Sequence, residues 1–123
     1  MLQAENLTIK LKSEKDEFFI LRDFSIHLNK GEILGLAGES GSGKSVFAKS
    51  ILGLNTAPIY KTGGSIFVEK KLLENDTDYK SIRGKKISMI FQNPQSSLNP
   101  VMTIGQQLIE TIMLHNKSLN KKF

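Results

Sequence analysis

Gly38-Glu39-Ser40-Gly41-Ser42-Gly43-Lys44-Ser45 decides how the rest of this chain is read. It fits G-x-x-x-x-G-K-[ST], the spacing of a P-loop that cradles phosphate. Directly before it runs Glu32-Ile33-Leu34-Gly35-Leu36-Ala37, a short apolar stretch that predicts a buried strand. Directly after it, Val46, Phe47, Ile51 and Leu52 recur near a 3.6-residue period, which predicts a helix with one apolar face. Gly53 suits the left-handed position just past that helix, with Leu54 folding back on the last turn. Strand, glycine-rich loop and helix N-terminus follow in the order such a loop needs.

The residue types explain the spacing. Gly38, Gly41 and Gly43 admit backbone conformations and close approaches that a Cβ forbids. Amides from Ser40 through Gly41, Ser42, Gly43, Lys44 and Ser45 to Val46 can then point inward as an anion nest. A helix starting near Gly43 adds unpaired N–H groups and the positive end of its dipole. The motif directs Lys44 to the β- and γ-phosphates of a nucleoside triphosphate and the Ser45 hydroxyl to Mg²⁺. The competing reading is a glycine-rich turn before an ordinary helix. Agreement of the flanking strand and helix with the motif disfavours it.

Composition sets the outer bounds. The chain has 123 residues, enough for a small domain with a core. Its 39% hydrophobic and 24% charged residues are ordinary for a globular chain. No apolar run is long enough to span a membrane, and the N-terminus lacks the basic-then-apolar pattern of a secretion signal. Cysteine is absent, which excludes disulfides and thiolate metal sites and fits a reducing compartment. The net charge of +5 comes from scattered lysines, with small clusters at Lys70-Lys71, Lys85-Lys86 and Lys121-Lys122. No aromatic ladder interleaves them, so nucleic-acid binding is not expected.

Outward from the loop, residues 2–11 alternate as a strand, with Leu7, Ile9 and Leu11 against Thr8 and Lys10. A charged turn leads to Phe18-Phe19-Ile20-Leu21, continued by Phe24, Ile26 and Leu28, as its antiparallel partner. His27 falls on the polar side of that alternation. Residues 55–62 read as a loop around Pro58, followed by Gly63-Gly64 and a short strand Ser65-Ile66-Phe67-Val68. Residues 71–81 read as polar and irregular. Lys86-Ile87-Ser88-Met89-Ile90-Phe91 predicts a further strand, ending at Gln92-Asn93-Pro94. Thr103 with Gln106 three residues on forms a capping box. Ile104, Leu108, Ile109, Ile112 and Met113 mark the apolar face of the helix that follows, to about His115. A polar, basic tail from Asn116 is expected to fray.

Two motifs standing together carry a resemblance. Gly38 to Ser45 resembles a Walker A loop, and Ile87 to Pro94 resembles the Q-loop strand of an ATP-binding-cassette (ABC) ATPase. The run Met89-Ile90-Phe91-Gln92-Asn93-Pro94-Gln95-Ser96-Ser97-Leu98-Asn99-Pro100 is similar to that of the oligopeptide, dipeptide and nickel importer ATPases. The resemblance covers almost the whole chain. It implies an α/β P-loop NTPase fold: an antiparallel β-subdomain, part of a RecA-like core and the start of a helical subdomain, all within residues 1–123. It implies ATP and Mg²⁺ as cofactors, with Ser45 and Gln92 near the metal. Lys44 and Gln92 are then the catalytic candidates, because a glutamine carries donor and acceptor together and can hold a water beside a metal-bound oxygen. Phe18 or Phe19 is the candidate to stack on adenine, with Phe18 preferred.

The same resemblance implies partners: transmembrane permease subunits, a second homologous ATPase subunit and, indirectly, a solute-binding protein. It implies a peripheral place on the cytoplasmic face of the inner membrane. One departure is large. The signature Leu-Ser-Gly-Gly-Gln, the Walker B aspartate with its following glutamate, and the switch histidine fall on no residue here, so the chain is expected to be the N-terminal portion of such a domain. Two rival readings stay open from the sequence: another P-loop NTPase, such as a small GTPase or nucleotide kinase, and a non-catalytic remnant.

Overall fold

The computed structural model describes residues 1–116. They fall into two compact units, the first Met1–Ile82 and the second beginning at Arg83.

The first unit is built on an antiparallel sheet of order β2-β1-β3-β4. β1 (Leu2–Lys12) is central, between β2 (Glu17–Leu28) and β3 (Ile59–Val68). The hairpin partners expected from the alternation are observed, with Leu2 opposite Leu28 and Leu11 opposite Phe18. Leu7 and Ile9 of β1 and Ile66 of β3 are fully buried. Helix α1 (Lys44–Ile51) covers that face with Phe47 and Ile51. Phe47 meets Phe24 of β2 edge to face, with centroids 4.9 Å apart. Such aromatic pairs add about 0.5–1.5 kcal/mol beyond their buried area.

Alternation breaks at one level across three strands. Register shifts fall between Ala4 and Leu7 against β2, and between Glu5 and Thr8 against β3. Asn6 and Asp23 take positive φ there. Thr8 Oγ1 accepts from the Asp23 amide at 3.3 Å, and Ser25 Oγ accepts from the Asn6 amide at 2.8 Å. Gly64, at φ +79°, is required at this bulge: a Cβ would stand 2.4 Å from the Glu5 carbonyl oxygen.

α1 ends as the sequence predicts. Gly53 is left-handed at φ +61°. Its amide donates to Ser50 O at 3.0 Å and the Leu54 amide to Lys49 O at 2.9 Å, the paired bonds of a Schellman end. His27 is exposed, as its place in the alternation implies.

Four segments differ from the sequence reading. Residues 32–37 form no strand among the described residues. Ile33 is 99% exposed. An apolar run becomes a strand only with a neighbour to pair with, and none of the described strands flanks it. Residues 59–62, read as loop, belong to β3, because Ile59 and Tyr60 pair with Leu11 and Lys10. Gly63 and Gly64 interrupt that strand without starting it. Residues 71–81, read as irregular, form β4 (Lys71–Leu72) and most of helix α2 (Asp76–Ile82), anchored by the buried side chains of Leu73 and Ile82. Residues 86–91 form no strand beyond one isolated bridge, Arg83 to Ile87, and Ile90 is 91% exposed.

The second unit holds a 3-10 turn over Pro94–Ser97 and helix α3 (Ile104–His115). The expected capping box is present. The Thr103 hydroxyl accepts from the Gln106 amide at 3.2 Å, and Gln106 Oε1 accepts from the Thr103 amide at 2.9 Å. The predicted apolar stripe of α3 exists, but no residue of the helix is buried. The His115 ring lies against Gly84, where a Cβ would stand 2.6 Å from it. The tail after Asn116 lies outside the described residues.

Candidate functional site

The loop 38–43 turns sharply into α1. The Ser42 amide donates to Glu39 O at 3.2 Å, closing a turn. Gly41 and Gly43 then take φ of +81° and +91°, the left-handed region that costs a side-chain-bearing residue about 1–2 kcal/mol. Gly43 is the N-cap of α1 and brings no side-chain capping bond. The first-turn amides of a helix have no intrahelical partner. Those of Lys44 and Ser45 therefore remain as donors for an outside anion, at the positive end of the helix dipole.

Lys44 closes the loop over itself. Its ammonium donates to Gly38 O at 2.7 Å, Glu39 O at 2.6 Å and Ser42 Oγ at 3.1 Å. Gly38 makes room for this: a Cβ there would stand 2.7 Å from Ser42 Oγ. At Gly43 the limit comes from β2, where a Cβ would meet Leu21 Cδ2 at 3.0 Å and the Ile20 carbonyl oxygen at 3.2 Å. Below the loop lies a cavity of about 130 Å³ lined by Leu21, Phe24, Leu36, Lys44 and Phe47 among others. A wider open groove of about 610 Å³ runs over residues 3–6 and 25–27 on the sheet. That groove holds no helix N-terminus and no lysine.

The residues present fit a nucleotide phosphate with its magnesium. A cation, a run of helix-start amides and an exposed Ser45 hydroxyl converge where two glycines keep Cβ atoms out. Ser40, Gly41, Ser42 and Val46 belong to the same loop and first turn. Gln92 lies in the second unit, exposed on the bend before the 3-10 turn.

The two aromatic candidates separate. Phe18 stands opposite Leu11 and Phe19 opposite Lys10. Cross-strand partners share a face and successive residues alternate, so the two rings point to opposite faces. Phe19 is engaged by cations, with Arg22 Cζ 4.1 Å and Lys10 Nζ 4.9 Å from its centroid. Phe18 is 54% exposed. Sequence reasoning missed Ile20 and Leu21 as the residues that bound Gly43. No local signal marks them, since the contact is made across the fold.

Residues 21–122 match the family model described as ABC transporter, and the chain belongs to that family. Its relatives are narrower in kind. It is 39% identical over 123 residues to the dipeptide transport ATP-binding protein DppD of Lactococcus lactis subsp. cremoris, covering 98% of this chain and 35% of that protein. It is 43% identical over 125 residues to the oligopeptide transport ATP-binding protein AppD of Bacillus subtilis, covering 99% and 38%. The oligopeptide transport ATP-binding protein OppD of Haemophilus influenzae is 41% identical over 116 residues, covering 94% and 36%. The chain thus spans about a third of the length of these three curated relatives. Among the described residues, no helix is long and apolar enough to cross a membrane.

Proposed function

We propose that residues 1–123 are the phosphate-binding portion of an ATP-dependent import ATPase that serves peptide uptake, or uptake of nickel or a related solute. The observation that carries this is the glycine-bounded loop at the start of α1, with the Lys44 ammonium drawn over it. The three relatives named above, ATP-binding proteins of dipeptide or oligopeptide transport, support the substrate class.

Bound Mg-ATP supplies a γ-phosphoryl group whose transfer to water releases the free energy for transport. The chain's residues do the holding. Amides from Ser40 to Val46 surround the phosphates, and Lys44 leaves the loop carbonyls to neutralise them. The Ser45 hydroxyl would help hold the metal. Phe18, exposed on the face opposite to that of Phe19, stacks on the adenine. Gln92 orders the water and reports to the membrane partner. Permease subunits, a second ATPase subunit and a solute-binding protein complete the assembly at the cytoplasmic face of the membrane.

Titration calorimetry of the purified chain with ATP and GTP tests this reading. ATP is expected to bind in preference to GTP, and Lys44→Ala to weaken it at least about tenfold, the loss of a charge-assisted contact. Equal affinity in wild type and Lys44→Ala would sink the assignment.

A further inference from the structure

Ser50 is the polar residue that the described core buries, 6% exposed near the end of α1. Its hydroxyl donates to the Val46 carbonyl oxygen at 2.7 Å. It accepts from Asn55 Nδ2 at 2.6 Å, and the same nitrogen lies 3.3 Å from Val46 O. The other end of that amide, Asn55 Oδ1, is buried with no hydrogen-bond partner. Turning the amide over would face Oδ1 against the Val46 carbonyl, acceptor against acceptor. The donor is therefore kept on Val46 and Ser50 while an acceptor stays orphaned, a cost that an apolar side chain of the same shape would not carry.

The bonds continue toward the loop. Val46 O shares its peptide plane with the Phe47 N–H, which donates to Gly43 O at 2.8 Å. Gly43 O in turn shares its plane with the Lys44 N–H, one of the first-turn donors of α1. Each bond accepted by a peptide oxygen polarises that unit and strengthens its own N–H as a donor, by about 10–30% per bond.

We infer that Ser50 and Asn55 are positioning residues, a relay of hydrogen bonds that aims and strengthens the Lys44 amide toward a phosphate from the opposite end of the helix. The inference rests on the nucleotide reading of the loop. Neither residue touches the nucleotide. Both act through the Val46–Phe47 and Gly43–Lys44 peptide units.

Two variants and two readouts test it. In the ¹⁵N-labelled chain without nucleotide, Asn55→Leu and Ser50→Ala are each expected to move the Lys44 amide proton upfield, with the Ile9 amide of β1 unmoved. In ATP titrations the same variants lose affinity by roughly three- to tenfold. Meanwhile the thermal midpoint of Asn55→Leu holds or rises, because the orphaned acceptor leaves with the donor. A purely structural role would give the reverse pairing: a lower midpoint and unchanged affinity of the folded fraction. That pairing, or a Lys44 amide unmoved in both variants, overturns the inference. If Asn55→Leu fails to fold, Ser50→Ala carries the test, since alanine favours the helix. A wild-type chain that binds no ATP overturns the nucleotide reading, and the Lys44 shift then decides the relay alone.

Discussion

The Lys44 ammonium donates to the carbonyl oxygen of Gly38, six residues back, at 2.7 Å. The side chain that is to meet the phosphate is also the strut across its own loop. Lys44→Ala should therefore loosen the loop before any ligand is added. Hydrogen exchange at the Ser42 amide, bonded to Glu39 O at 3.2 Å, is the measurement. Faster exchange in the variant is expected, and equal protection counts against the strut.

Binding and turnover should part company in this chain. On the proposed reading the loop amides and Lys44 would hold phosphate, but no residue here falls on the Walker B carboxylates that the resemblance expects. A positioned general base is worth about 10²- to 10⁴-fold. Preorganised charge stabilisation is worth a comparable factor again. The 123-residue chain should show no ATPase rate above that of Lys44→Ala. Steady hydrolysis that vanishes in the variant would show a differently built site.

Gly64→Ala tests the three-strand bulge. The new Cβ would combine a φ of +79° with a 2.4 Å approach to Glu5 O. Left-handed strain and backbone displacement together should cost more than about 2 kcal/mol. Urea unfolding measures it, and a loss under about 0.5 kcal/mol, the usual surface effect, would refute the account.

What the sequence disclosed is what neighbours in sequence decide. The alternation of Leu7, Ile9 and Leu11, the loop glycines, Gly53 and the Thr103–Gln106 box are local patterns, and each reappears in the fold. Pairing partners are not local. Residues 59–62 become strand because Leu11 and Lys10 wait across the sheet, while 32–37 and 86–91 are just as apolar and form no strand among the described residues. α2 hides behind polar composition, although one local signal was available. The Asp78 amide donates to Asn75 Oδ1 at 3.1 Å and the Asn75 amide to Asp78 Oδ2 at 3.4 Å, a reciprocal pair three residues apart. In the candidate site, the turn from the glycine-rich loop into α1 was legible because its motif is contiguous. Ile20 and Leu21 were not, because they reach Gly43 through space.

Three strands are tied at one end by titratable groups. Tyr60 of β3 donates to Glu17 of β2 at 2.6 Å, and Glu17 accepts from Lys10 of β1 at 2.8 Å. The Lys10 bond, then the Tyr60 bond, holds the Glu17 carboxyl below its usual range. Glu17 in turn pushes the Tyr60 phenol up. A depressed acid contributes stability above the ordinary glutamate range and loses it as pH falls through the folded value. A raised phenol contributes below the ordinary tyrosine range and loses it as pH rises through its own. Glu17 is exposed and Tyr60 half-buried at the sheet's end, so solvent screens both effects. Glu17→Gln should return Tyr60 toward its ordinary value in an ultraviolet titration with Tyr79→Phe as background. An unmoved titration contradicts the network.

Ile33 and Ile90 are almost wholly exposed, and the apolar stripe of α3 is more than half exposed at Ile104, Leu108, Ile109 and Ile112. Exposed apolar side chains of this kind, on either unit, drive association. Sedimentation velocity should show the chain associating with concentration, and Ile33→Lys with Ile90→Lys should reduce it. A single monomeric species at every concentration would be the contrary result.

The Tyr79 ring lies over Gly53, where a Cβ would stand 2.6 Å from it, while Gly43 abuts Ile20 and Leu21. α1, eight residues long, is thus clamped at both ends. At about 12 Å long, it spans from the phosphate-loop motif to the Tyr79 ring of α2, which ends at Ile82, the last residue of the first unit. A chain cut or insertion between Lys70 and Asp76 would loosen the far bearing of that helix, and the loop would lose its backstop with every one of its own residues intact.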